Sequence, residues 1–219
     1  MRNKPQVPSL KFQAQREESA RISGNNSILF PWDLRLWAWN LGLETYSLSL
    51  FTVPYMTFTR ITPQLIQAFQ KIVGENYVIA TEEARKNYGH DETEDLSFPP
   101  EVVIKPVSAQ EISELLKLCN RERIPITPIA GRTGLSGGAL CVHGGVGLSL
   151  ERMNRILQID EKNLQATVEP GVITQVFQEA LIANGLFYPP DPSSRGSCFL
   201  GGNVAENAGG PRAVKYGVT

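Results

Sequence analysis

From Thr59 onward, short apolar runs alternate with amphipathic stretches, and the alternation predicts the elements before any chemistry is considered. Leu65, Ile66, Phe69, Ile72 and Val73 recur at helical spacing after Thr62-Pro63 and stop at Gly74. A threonine N-cap, a proline in the first helical position and a terminal glycine mark a short amphipathic helix. Glu101 to Pro106 is a β-branched run closed by a proline, which predicts a strand. Ser108-Ala109-Gln110-Glu111 has the capping-box pattern, and Ile112, Leu115, Leu116 and Cys119 follow on one helical face. Ile124 to Ile129 reads as a second strand that runs straight into a glycine-rich segment.

Gly147 to Leu150 continues as a strand. Ile156–Ile159 and Leu164–Val168, joined by the polar residues 160–163, predict a hairpin by which the sheet grows through antiparallel pairing. After Pro170-Gly171, the residues Ile173, Val176, Phe177, Ala180 and Leu181 share a helical face that ends at Asn184-Gly185. Pro189-Pro190-Asp191-Pro192 is a rigid polar connection into a second glycine-rich stretch, Gly196 to Gly210. The charged segment Glu82 to Asp95 reads as a solvated loop. His90, Asp91 and Glu94 lie within it, but no second histidine is near in sequence, so no metal ligand is assigned.

Chemistry enters at Gly131-Arg132-Thr133-Gly134-Leu135-Ser136-Gly137-Gly138, where four of eight residues are glycine. Glycine takes positive φ at no steric cost and leaves its N–H accessible, so successive amides can turn into one concavity and hold an anion such as phosphate. A tight turn uses the same residues, and one such loop does not separate the two readings. The second glycine-rich stretch does change the picture, because two anion-friendly loops suit a diphosphate. A strand, a helix and a strand followed by a loop at the strand's carboxyl end is also where open α/β sheets bind ligands.

Composition narrows the classes. The chain has 219 residues, a net charge of −1 and 42% hydrophobic residues, which is ordinary for a globular protein and gives no basic excess for nucleic acid. Cys119, Cys141 and Cys198 are widely spaced and odd in number, so neither a disulfide framework nor a zinc site is indicated and a reducing, cytoplasmic setting is expected. Residues 1–58 differ from the rest and are expected to form a disordered extension outside the domain, with Met56 a candidate start. Asp33, Arg35 and Glu44 interrupt its apolar part, so no transmembrane segment is predicted; an interfacial helix displaying Trp32, Trp37 and Trp39 is compatible with peripheral membrane contact.

With the first glycine loop, the hairpin, Tyr188-Pro189-Pro190-Asp191-Pro192, Gly201-Gly202-Asn203, Asn207-Ala208-Gly209-Gly210 and Tyr216-Gly217 in order, residues 59–219 resemble the FAD-binding domain of the p-cresol methylhydroxylase/vanillyl-alcohol oxidase family. Within that family the likeness is greatest to the FAD-linked subunit of glycolate oxidase and to D-lactate dehydrogenases. The resemblance implies an α+β, two-subdomain FAD-binding domain, truncated at its C-terminus because the pattern stops in mid-fold at Thr219. It implies FAD as cofactor, with Arg132, Thr133, Gly134, Leu135, Ser136, Gly137 and Gly138 as the pyrophosphate loop. Pro190, Asp191, Ser197, Gly201, Gly202, Asn203, Asn207, Gly209 and Gly210 would form the second, flavin-side motif.

The resemblance further implies oxidation of a 2-hydroxy acid, glycolate or D-lactate, to the 2-oxo acid by hydride transfer to the flavin. Other oxidase subunits are the implied partners. Relatives with covalent flavin carry a histidine in the first loop; none lies between Gly131 and Gly138, so FAD is expected to be noncovalent. No catalytic base is assigned, and Arg195 and Lys215 are expected to brace loops or meet solvent. The chain alone is expected to be inactive, and the alternative is a noncatalytic fragment that binds FAD weakly or not at all. One departure is Arg132, where relatives commonly have glycine; negative φ is expected there, with the guanidinium either on a phosphate or in solvent.

Overall fold

The computed structural model describes residues 57–219. The expected extension, its three tryptophans and the candidate start at Met56 lie outside the described residues, except for Thr57 and Phe58. Phe58 packs its ring 5.2 Å from that of His143. The Thr59 amide donates to the Arg123 carbonyl at 3.1 Å.

The elements are α1 (Pro63–Val73), a single 3-10 turn (Glu75–Tyr77), β1 (Val78–Ile79), α2 (Glu82–Lys86), β2 (Val102–Ile104), α3 (Ala109–Glu122), β3 (Ile126–Ile129) and β4 (Val146–Ser149). They continue as β5 (Ile156–Asp160), β6 (Gln165–Val168), α4 (Thr174–Ala183), α5 (Leu200–Glu206) and α6 (Ala213–Tyr216). The class is α+β, and the sequence punctuation explains the helix starts. Thr62 Oγ1 accepts the Leu65 amide at 3.4 Å, and Ser108 Oγ accepts the Glu111 amide at 3.2 Å. Glu111 reaches back one residue beyond the capping box, to the Val107 amide at 2.8 Å.

One sheet runs in the order β1-β2-β4-β3. β1 is antiparallel to β2, and β4 is parallel to both β2 and β3. The two central strands are buried throughout, which is why β2 reads as an unbroken apolar run rather than an alternating one. β3 is an edge strand and therefore tolerates Pro128. Phe69 and Val73 of α1 and Leu115, Leu118 and Cys119 of α3 close a core against Val102, Ile104, Val146 and Leu148. Leu116, expected on this face, is exposed, and Leu118 takes the buried place because the stripe centres on Leu115. Burial pushes the Cys119 thiol up to about 11, which leaves it an inert packing group.

Four further readings are corrected. The β5–β6 hairpin makes its own two-stranded sheet instead of enlarging the first. Both edges of β4 are already occupied, by β2 and β3, so β5 cannot pair with the strand that precedes it. The hairpin instead covers a second core of Val172, Phe177, Leu181 and Leu200. Val176, expected on the apolar face of α4, is exposed. The segment Glu82 to Asp95 is not simply a solvated loop: it opens with α2, and Asp91 is buried with its Oδ1 accepting the Thr93 amide at 2.9 Å. Finally, residues 200–206 of the second glycine-rich stretch are helical, as α5.

Candidate functional site

Adjacent parallel strands are usually joined by a crossover helix. β3 and β4 are joined instead by residues 130–145, so the first glycine loop leaves the carboxyl end of β3 and remains helix-free. It lies directly against the second motif. A Cβ on Gly131 would sit 2.6 Å from the Ser197 carbonyl oxygen and 3.0 Å from Cys198 Cα, closer than side-chain atoms pack. A Cβ on Gly202 would lie 3.2 Å from that of Ala130, and one on Gly138 would lie 2.5 Å from Glu206 Oε1. Ser136 Oγ donates to Glu206 Oε2 at 2.8 Å. Two stretches far apart in sequence thus form one surface because their glycines permit contact between backbones.

Within the first loop, Arg132 has φ 57°, which corrects the expectation of negative φ. Its backbone takes the left-handed conformation a glycine would take, at a cost of about 1–2 kcal/mol. Its guanidinium lies 4.8 Å over the Tyr88 ring, an attraction that offsets part of that cost. Arg132 Nη1 is buried without a hydrogen-bond partner, so the loop carries a cationic donor with unspent capacity. Gly134 accepts the Glu92 amide at 3.1 Å, which fastens the loop to the segment containing Asp91. Gly137 has φ 76° and accepts the Leu140 amide at 3.1 Å. Leu135 and Ser136 are exposed, and Thr133 is half-buried.

The residues of the second motif divide by direction. Gly201 and Gly202 belong to α5, with Gly201 packed against Pro170 and Gly202 against Ala130. Asn203 is turned inward, donating from Nδ2 to Thr174 Oγ1 at 2.6 Å, so it fixes α5 to α4. Cys198 is buried with its Sγ 3.1 Å from the same hydroxyl. Asn207 ends α5 with φ 55°. Pro190 accepts a hydrogen bond from Gln178 Nε2 at 2.8 Å, and Ser197 Oγ donates to the Ser194 carbonyl at 3.2 Å. Gly209 packs against Val218, and Gly210, with φ 141°, lies against the Asp191 carbonyl, where any Cβ would overlap it.

Asp191 is buried and pairs with Arg195 at 2.7 Å and with Arg212 at 3.5 Å, so Arg195 braces this loop. The Arg195 hydrogen bond, with the charges of Arg195 and Arg212, holds the Asp191 carboxyl below its usual range. A depressed folded value means the stabilisation is present above the ordinary carboxylate pKa and is lost as pH falls through the folded one. Asp191→Asn is therefore expected to cost about 1–2 kcal/mol in urea unfolding at neutral pH. The difference from the parent protein is expected to close below about pH 4.

A second polar group stands at the carboxyl ends of β2 and β4. Lys105 pairs with Glu151, whose Oε2 accepts from Tyr88 and Ser149 at 3.1 Å each. Burial raises the Glu151 pKa, but the Lys105 hydrogen bond and charge outweigh it and leave the carboxyl below its usual range. Tyr88 thus joins this cluster to Arg132. Sequence reasoning missed Tyr88, which no local pattern marks. It also left Glu206 without a role, although Glu206 is the only acid between Gly196 and Gly210.

The family described as "FAD binding domain" matches residues 100–219, more than half of the chain and both glycine motifs. The chain belongs to this FAD-binding family. FAD is accordingly its cofactor, and the residues present fit the diphosphate: a loop with left-handed backbone at Arg132 and Gly137, a hydroxyl at Ser136 and the unpartnered Nη1 of Arg132. The chain is 40% identical over 163 residues to D-lactate dehydrogenase of Anaerostipes hadrus, covering 74% of this chain and 34% of that protein. It is 43% identical over 159 residues to glycolate oxidase subunit GlcD of Bacillus subtilis, covering 73% of this chain and 34% of that subunit.

Among solved structures, an alkyldihydroxyacetonephosphate synthase matches 74% of this chain and 35% of its own with TM-score 0.66 at 20% identity, which shows the fold. A substrate-bound p-cresol methylhydroxylase matches 55% of this chain and 24% of its own, with TM-score 0.50 and 27% identity. The FAD-binding chain spans about a third of the length of the curated relatives it matches. Away from the glycine loops, Phe177, Leu181, Phe187, Tyr188, Leu200 and Val204 line an apolar hollow of about 540 Å³ between the hairpin and helices α4 and α5. Among the described residues no helix is long and apolar enough to cross a membrane.

Proposed function

We propose that this chain is the cofactor-holding portion of a flavin-dependent oxidoreductase that oxidises a 2-hydroxy acid, glycolate or D-lactate, to the 2-oxo acid. The observation that carries the reading is the contact of the two glycine motifs at the carboxyl end of β3, through Gly131, Gly138 and Gly202. Names of relatives support the substrate class, since they are a D-lactate dehydrogenase, a glycolate oxidase subunit and a D-2-hydroxyglutarate dehydrogenase. When bound, FAD supplies the hydride acceptor for that oxidation.

The chain's own residues hold the cofactor and keep its site rigid. Amides of residues 132–138 and the Ser136 hydroxyl donate to the diphosphate, and Arg132 Nη1 adds a charge-assisted donor. Asn203, Asn207, Gly201 and Gly202 set the position of α5 against the loop, while Pro190, Asp191, Ser197, Gly209 and Gly210 fix the connections that flank it. No histidine lies in the first loop, which supports noncovalent attachment. The three described cysteines are buried and unpaired, which supports a reducing compartment. The relative named as an oxidase subunit supports other subunits as partners.

Groups that bind the substrate carboxylate and take its hydroxyl proton are assigned to no residue of this chain. His143 is packed with Phe58, and Arg195 is committed to Asp191. The test is to load the chain with FAD and add D-lactate, glycolate and D-2-hydroxyglutarate without oxygen. The expected result is a bound flavin whose visible absorbance persists with each acid. Bleaching by one of them would name the substrate and show that this chain holds the substrate-binding groups as well.

A further inference from the structure

We propose that Glu206 is an internal anion that competes with the cofactor's diphosphate for the first glycine loop, so that FAD must displace the carboxylate to bind. The proposal rests on the assignment of residues 131–138 as the phosphate cradle. Both oxygens of Glu206 are directed at that loop. Oε2 accepts the Ser136 hydroxyl at 2.8 Å, and Oε1 lies 2.5 Å from where a Cβ of Gly138 would project. The carboxylate therefore spans two of the loop's residues and uses the side-chain hydroxyl offered to phosphate.

Helix stability gives no account of an acid at this position. Glu206 is the last residue of α5, where the exposed carbonyls of a helix end disfavour negative charge and favour a cation. Glu206 makes no ion pair in the described structure; its partner is the neutral Ser136. An ionised carboxylate that accepts from a hydroxyl of an anion-binding loop imitates one phosphate oxygen. Once a diphosphate occupies the loop, the same carboxylate faces like charge, and juxtaposed like charges oppose binding.

The experiment measures FAD affinity by flavin fluorescence, and ADP affinity by calorimetry, for the parent chain, Glu206→Gln and Glu206→Ala. Glutamine keeps an acceptor for Ser136 and removes only the charge, while alanine removes the side chain. Circular dichroism establishes that each variant is folded. The expected result is binding tightened about tenfold or more in both variants, for FAD and for ADP alike. Equal or weaker binding in the variants, with FAD still bound by the parent chain, would overturn the competition and leave the cradle standing. A gain for FAD without a gain for ADP would place Glu206 against the flavin and overturn the assignment to phosphate. Folded parent and variant chains that bind neither ligand would overturn the cradle, and this inference with it.

Discussion

Gly131→Val is expected to weaken FAD binding about a hundredfold while the chain remains folded. At this position even a methyl group would lie 2.6 Å from the Ser197 carbonyl oxygen and 3.0 Å from Cys198 Cα, and both neighbours are backbone that cannot rotate away. The first loop and the second motif must therefore separate to admit valine. That movement also shifts Ala130 from Gly202, and Ser136 from the end of α5. The core between the first sheet and helices α1 and α3 does not include Gly131, so far-ultraviolet circular dichroism should show helices retained. Gly131→Ala should give a smaller loss in the same direction, because alanine carries the offending Cβ without the branch. Unchanged FAD affinity in a folded Gly131→Val chain would show that the two motifs do not need to touch in order to hold the cofactor.

Phe69→Ala is expected to destabilise the chain by about 3–5 kcal/mol in urea unfolding. Phe69 is fully buried, packed from α1 into the core that contains Leu115 and Val146. Removing the ring forfeits its transfer from water and leaves a cavity that a sheet backed by two helices cannot collapse to fill. Domains of this size are stable by only about 5–15 kcal/mol, so the loss would leave a large part of the margin gone. The residue also lies upstream of residues 100–219, where the family match begins and ends. A large effect would show that α1 is integral to the domain; a loss below about 1 kcal/mol would show that it only decorates the first sheet.

Most of the first sheet and the helices α1 and α3 packed on it was legible in the sequence because the signals are local. Thr62-Pro63, Ser108 with Glu111, and the β-branched run at 102–104 each act within a few residues, and the structure uses each one. What was not legible depends on partners distant in the chain. That β5 cannot pair with β4, whose two edges are taken, is a fact of strand order that no local pattern carries, and the hairpin packs on the second core instead. Leu116 and Leu118 exchange places because the buried stripe is centred by the sheet beneath α3.

The glycine motifs were visible as composition, whereas their contact was not. Glycine spacing alone cannot show that Gly131 meets Ser197 or that Gly138 meets Glu206. Arg132 was misjudged for a related reason. The left-handed cost of a side chain is a local rule, but the Tyr88 ring that receives the guanidinium arrives from a segment that reads only as charged surface. For Asn203 the motif left two uses of the amide open, fixing the loop or reaching the cofactor, and the structure shows it donating to Thr174 inside the fold.

The central claim is that the loop at residues 131–138 and the motif around α5 form one cradle for FAD. Titration of the purified, folded chain with FAD tests it most directly, followed by flavin fluorescence and by the rise in melting temperature that accompanies binding to the native state. The account predicts saturable binding with thermal stabilisation, and competition by ADP. A folded chain that neither quenches the flavin nor gains stability would contradict it.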